Sequence, residues 1–234
     1  MTDASTNAPA RGRALLAALQ QADSFFPSGA MAFSWGLEPL VRDGLIGDAA
    51  ALEIFVASQA LSRWATFDQG ILCASWQAAG CLEKWREADA WAESMTWPGA
   101  FRAGSRRLGR TLVDVHARLD APRAQQLRAE IIAGRAPGHL AAVQGALWQS
   151  FGIAELEARA MAAHACCTGM VSAAVRLGVV GHLDAQRILT ALRQPIADVL
   201  NAPAPLLTQL SSTSFAADIG SLRAATADAR MFAN

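Results

Sequence analysis

Apolar residues recur at three- and four-residue spacing along nearly the whole chain, and no segment sustains the period-two alternation of a half-buried strand. Leu15, Leu16 and Leu19 form one face of a first helix. Asp23 and Pro27 stop it, because the residue before a proline disfavours the helical region. Ser34 offers a hydroxyl N-cap to the next helix, in which Leu37, Leu40 and Val41 turn inward and Gly44 ends the run. Asp48 caps a long helix with Leu52, Phe55, Val56, Gln59, Ala60, Arg63 and Trp64 at helical spacing. Thr96-Trp97-Pro98-Gly99 separates a helix over 85–95 from one over 100–119. Asp120 and Pro122 start another, which Gly134 ends; Pro137 stands in the first turn of its successor. A run of small residues after Gly152 carries a helix through Val179, and a helix over 182–192 follows. Pro195, Pro203 and Pro205 then break the chain, and Ser214 caps a last short helix with Phe215, Ile219 and Leu222 at i, i+4, i+7. The pattern predicts an all-α fold: a single-domain bundle of about eight to eleven helices. Its bounds are 12–223, with a disordered polar stretch at 1–11 and a tail at 224–234.

Composition sharpens this picture. Of 234 residues, 53% are hydrophobic and only 17% charged, so the chain must bury much of itself in its own core or against partners. Net charge is zero, which argues against a nucleic-acid partner. The polar start lacks the apolar core of a signal peptide. The most apolar run, Met161 to Val175, is short for a membrane span and carries His164, so it reads as a buried helix. Cys73, Cys81, Cys166 and Cys167 form no C-x-x-C pair and read as reduced thiols of a cytoplasmic protein, with no membrane association.

A search for chemistry finds little. His116, His139, His164 and His182 include no pair three or four apart, so no helix presents two imidazoles to one ion. His164 and Cys167 share a face, but two ligands do not close a site. There is no P-loop: Gly104-Ser105-Arg106-Arg107-Leu108-Gly109 lacks the lysine and follows helix. Carboxylates such as Glu38 and Glu130 read as surface residues. No catalytic, cofactor or metal site is expected. Arg102, Arg106 and Arg110, with Arg107 beside them, form a basic stripe: either a solvated face or a docking patch for an acidic partner, since arginine forks bind carboxylates well.

Two segments stand apart. Asp23–Glu38, DSFFPSGAMAFSWGLE, is the least helical and most aromatic stretch of the chain. With no base, nucleophile pair or metal ligand set, it reads as a helix-turn-helix corner whose Pro-Ser-Gly turn projects Met31, Phe33 and Trp35 as a protein-contact surface. The tail ends in Met231 and Phe232, apolar residues that want burial, either on this chain's own body or in a partner's groove.

Residues 21–46 resemble the opening of the UreF-type urease accessory proteins, through Asp23, Pro27, Gly29, Ser34, Gly36, Leu37 and Glu38. The resemblance continues in Ser105–Val113, in Gly138–Ile153, in Gly169–Leu189 with Gln186-Arg187, and in Asp218–Arg223 with Arg230 and Phe232. It thus spans nearly the whole chain. The family's histidine before the Ser-x-Gly-Leu-Glu serine is Phe33 here, and an aromatic two residues earlier is Met31. Ala224 and Ala225 replace a histidine and glutamate, and the chain has no tyrosine.

The resemblance implies an all-α homodimer that is not an enzyme and needs no cofactor. Its role would be nickel delivery: it would bind a UreD/UreH-type protein and a UreG-type GTPase and act with them on apo-urease. It implies partner contacts from Pro27, Gly29, Met31, Phe33, Ser34, Trp35, Gly36, Leu37 and Glu38 in the corner, and from Arg223, Arg230, Met231 and Phe232 at the end. The alternatives are a regulator that donates an arginine to the GTPase, with Arg107 and Arg223 as candidates, a nickel carrier or small-molecule enzyme, and a diverged paralogue serving another client.

Overall fold

The computed structural model describes residues 8–23, 25–29, 33–97, 99–212 and 214–224, with side chains as far as Leu222. Helix α1 spans Ala8–Ala22. It begins inside the stretch expected to be disordered. After the corner come α2 (Leu37–Arg42) and one continuous rod: α3 (Ala49–Ser58), a π-helical stretch (Gln59–Asp68) and α4 (Gln69–Gln77). Next are α5 (Leu82–Met95), α6 (Gly99–Arg118), α7 (Pro122–Ile132), α8 (Leu140–Ser150) and α9 (Glu155–Arg176). Helices α10 (His182–Ala191) and α11 (Arg193–Asn201) lead to a 3-10 turn (Leu207–Gln209) and α12 (Phe215–Ala224). No strand occurs among the described residues.

The punctuation residues act largely as their chemistry demands. Asp48 caps α3 by accepting the Ala51 N–H at 2.8 Å. Gly44, Gly134 and Gly152 sit at positive φ just beyond the helices they end. Two prolines differ from expectation. Pro137 lies ahead of α8, whose N-cap is His139. Pro195 does not break the chain but stands in the first turn of α11, where its missing N–H has no intrahelical carbonyl to lose.

Two apolar clusters make up the core. One gathers α4, α5, α6, α7 and α8 around Trp85, Leu72, Leu127 and Leu147; the other gathers α2, α3, α10 and α12 around Leu37, Leu52 and Ile188. Helix α9 serves both, with Ala158, Ala162 and Ala163 on the first and Cys167, Met170 and Ala174 on the second. Its small residues let neighbouring helices approach, so one face of the apolar run 161–175 is buried in the core while His164 and Ala165 stay exposed. No described helix is long and apolar enough to cross a membrane.

The inward face expected for the long rod is realised: Leu52, Phe55, Val56, Gln59, Ala60, Arg63 and Trp64 are all buried. The first helix behaves differently. Ala14 is its buried residue, and Leu15, Leu16 and Leu19 lie on the outside. Glu130 also departs from expectation. It is buried, holds Arg135 through both oxygens (2.8 and 3.0 Å) and accepts from Arg86 at 2.8 Å. These arginines hold its carboxyl down at about 2.

Candidate functional site

The corner starts as a local turn: the Asp23 carboxylate accepts the Phe25 N–H at 2.8 Å, and the Asp23 carbonyl accepts Phe26 N–H at 3.0 Å. Phe25 points into solvent, and Pro27 and Gly29 are exposed. Met31 lies outside the described residues. Beyond it the chain dives inward. Phe33 is only 3% exposed: its ring packs on the backbone of α6 at Gly104, with the Arg107 guanidinium 5.9 Å from its centroid. Ser34 and Leu37 are fully buried, and Trp35 and Glu38 are half-buried. Trp35 faces Phe33 and Phe101 at centroid distances of 6.4 and 6.3 Å. The corner therefore does not project Phe33 and Trp35. It tucks them under α6, where burial of two large rings outweighs exposure of an apolar edge. The Ser34 hydroxyl lies 3.4 Å from the Glu38 N–H, a long contact, and the Ser34 carbonyl accepts the Leu37 N–H at 3.0 Å.

Positive φ at Trp35 (54°) and Gly36 (80°) makes the reversal that feeds α2. Gly36 does more than turn. A methyl group there would stand 2.7 Å from the Ala217 carbonyl oxygen, and one at Gly220 would collide with the Gly36 carbonyl. Helix α12 therefore crosses the corner backbone to backbone, with the buried residues Ala217 and Ser221 on its inner side. The corner and the last described helix ahead of the tail thus form one surface. Arg223 falls in the last turn of α12; Arg230, Met231 and Phe232 lie outside the described residues.

The approach to α12 is strapped onto the π-helical stretch. Thr66 and Ser211 exchange hydrogen bonds, Thr66 Oγ1 to Ser211 O at 2.6 Å and Ser211 N to Thr66 O at 3.0 Å. Arg63 donates to Ser212 O at 3.2 Å, Gln59 Nε2 to the Ser214 hydroxyl, and Ser212 Oγ to Met95 O at 2.6 Å. Ser214 thus spends its side chain on Gln59; its N–H donates to Asp218 Oδ2 at 2.9 Å. Burial pushes the Asp218 carboxyl up, against the opposing pull of that N–H and of Arg63. None of Gln59, Arg63 and Ser214 was singled out as a site residue. A polar residue at inward helical spacing, as at 59 and 63, is the signal that could have found them.

The inner face of α12 holds small residues, and the large ones look outward: Phe215 is 79% exposed, Ile219 48% and Leu222 46%. A helix packed only on its own body would show the reverse arrangement.

Elsewhere the expected polar candidates separate. His164 is exposed, with its Nε2 3.3 Å from Thr168 Oγ1, while Cys167 is buried in the core, so the pair offers no joint ligand set. No group of three or more histidine, cysteine or acidic side chains that could hold a metal ion occurs among the described residues. The four cysteines are free thiols. Along α6, Arg102 and Arg106 turn to Glu93, and Arg110 donates to Pro137 O at 3.2 Å. His139 is buried in the same place. Its Nε2 lies 2.8 Å from Glu93 and its Nδ1 3.1 Å from Ser105 Oγ, so a neutral ring donates to the carboxylate and accepts from the hydroxyl. Burial and the surrounding arginines hold it down at about 3. Asp89 accepts the N–H groups of Gly138 and His139, both at 2.7 Å, yet burial pushes its carboxyl up to about 6. This network fixes the turn ahead of α8.

Comparison with known proteins places most of the chain in one family. The UreF family model matches residues 46–193. A urease accessory protein UreF of Rhizobium leguminosarum bv. viciae is 35% identical over 211 residues, covering 88% of this chain and 90% of that protein. Counterparts from Trichodesmium erythraeum and Brucella ovis are 30% and 32% identical, each covering 94% of this chain and 96% and 93% of their own. With the family model matching residues 46–193 and relatives at least 30% identical that align over most of both chains, this chain belongs to the UreF family of urease accessory proteins.

Proposed function

We infer that this chain is a non-enzymatic adaptor in urease maturation. It holds a UreD/UreH-type protein through the outer face of α12 and the chain that follows, and presents another face to a UreG-type GTPase. Nucleotide state is thereby coupled to release of nickel into apo-urease. Nickel is cargo of the assembly, and the adaptor works as a homodimer in the cytoplasm. One observation carries the reading: α12 docks by Ala217, Gly220 and Ser221 and leaves Phe215, Ile219 and Leu222 uncovered. Contiguous apolar side chains at an exposed helix surface are what a protein partner covers.

The test is co-purification with a UreD-type protein, together with nickel-dependent activation of urease in cells lacking the native adaptor. Removing residues 224–234 is expected to leave the body folded and to weaken capture. A truncated chain that unfolds would instead mean that the tail completes its own core. Light scattering that finds only monomer across micromolar concentrations would remove the homodimer. Equilibrium dialysis is expected to find no nickel site tighter than about micromolar on the isolated chain.

A further inference from the structure

The arginines of α6 are not all accounted for by the fold. Glu93 engages Arg102 and Arg106, and Asp114 pairs with Arg128 at 2.7 Å. Arg107, Arg110 and Arg118 are exposed and make no ion pair with a described carboxylate. With Asp114 they occupy positions i, i+3, i+7 and i+11, one face of the helix. Two shallow depressions meet there at Asp114, one flanked by Arg106, Arg107 and Arg110, the other by Arg118 and Arg128. Five arginines thus line a continuous groove whose single carboxylate is already engaged.

The whole chain has zero net charge, so this surplus is local rather than a general basicity. Part of it is also held in place. Arg107 lies over the buried Phe33 ring, and Arg110 is anchored on Pro137 O, which lowers the ordering cost of presenting both guanidinium forks.

We propose that this α6 groove is a docking surface for an acidic segment of a partner protein, read by Arg107, Arg110 and Arg118. From 107 to 118 the helix rises about 16 Å, the length of about five extended residues. That is a match for a short carboxylate-rich loop. A nucleic-acid strand, which needs a longer run of phosphate contacts, would find too few cations here on a chain of zero net charge.

The probe is a fluorescein-labelled oligoglutamate of about ten residues, titrated with the full chain by fluorescence anisotropy at about 0.05 and 0.15 M salt. Saturable binding that weakens with salt is expected. Arg107→Gln with Arg110→Gln should weaken it about tenfold, and Arg118→Gln alone by a smaller factor. Arg118 makes no described hydrogen bond or ion pair, so its replacement tests the groove without disturbing the fold. Arg187→Gln, on α10, should change nothing. Unaltered binding by both groove variants, or equal binding of an oligoglutamine, overturns the proposal. Binding of oligothymidylate as tight as that of oligoglutamate overturns the assignment to an acidic protein.

Discussion

Phe33 and Gly104 pack ring against backbone: a methyl group at Gly104 would stand 2.6 Å from Cε1 of the ring. The position before the Ser-x-Gly-Leu-Glu serine is therefore a core position in this chain, and its side chain spaces the corner from α6. Phe33→Ala should cost about 3–5 kcal/mol of stability. Gly104→Ala gains helix propensity but displaces a buried ring, for a net loss of about 1–3 kcal/mol. Urea unfolding measures both. A Phe33→Ala protein of undiminished stability that nonetheless loses a partner would return the ring to the surface.

Gly36 and Gly220 permit the closest crossing in the corner. Gly220 lies within a helix, where alanine would ordinarily stabilise by about 1 kcal/mol. Here it meets the Gly36 carbonyl, so Gly220→Ala is expected to lower stability by about 1–2 kcal/mol and to expose α12 to limited proteolysis first. A rise in stability on that substitution would show that α12 has room to spare.

What sequence could and could not reveal follows from these contacts. Helix class and most boundaries were legible because caps, positive-φ glycines and 3.6-residue periodicity are local. Periodicity groups residues onto a face but does not say which face turns inward. Phe215, Ile219 and Leu222 share a side of α12, yet Ala217 and Gly220 win the interior because only they fit the contour of Gly36. The π-helical stretch was invisible, since Gln59, Ala60, Arg63, Trp64 and Phe67 also satisfy an α-helical pattern. The burial of Phe33 rests on Gly104, seventy-one residues away, and Glu130 adds to its local partner Arg135 a second one, Arg86, forty-four residues away, which no local window contains.

The His139–Asp89 pair sets a pH dependence with opposing signs. His139 is held at about 3 against an ordinary 6.5, so its contribution is complete above pH 6.5 and is lost as pH falls toward 3. Asp89 is raised to about 6 from 3.8, so its contribution is complete below 3.8 and is lost as pH rises through 6. Between about pH 4 and 6 the two slopes oppose. His139→Gln removes only the first. Relative to wild type, the variant's unfolding free energy should therefore change by up to about −1.4 kcal/mol per pH unit across that window. Parallel wild-type and variant profiles in urea unfolding between these pH values would mean that His139 titrates normally.

The outer side of α12 separates a folding role from a binding one. Phe215, Ile219 and Leu222 are exposed, and the helix is held from its other side by Ala217, Gly220 and the Ser214–Asp218 turn. Replacing all three by serine removes no described packing, so stability should stay within about 0.5 kcal/mol for each site. Loss of three clustered apolar side chains from an interface centre should reduce capture of a UreD-type protein by at least about tenfold. Gly220→Ala should weaken the same capture indirectly, by displacing the helix that presents the stripe, and should do so together with a loss of stability. A serine variant that binds as wild type removes the outer face from the interface. A serine variant that unfolds shows that α12 is read in the wrong orientation. Only capture lost with stability kept makes this stripe the surface through which the chain joins its assembly.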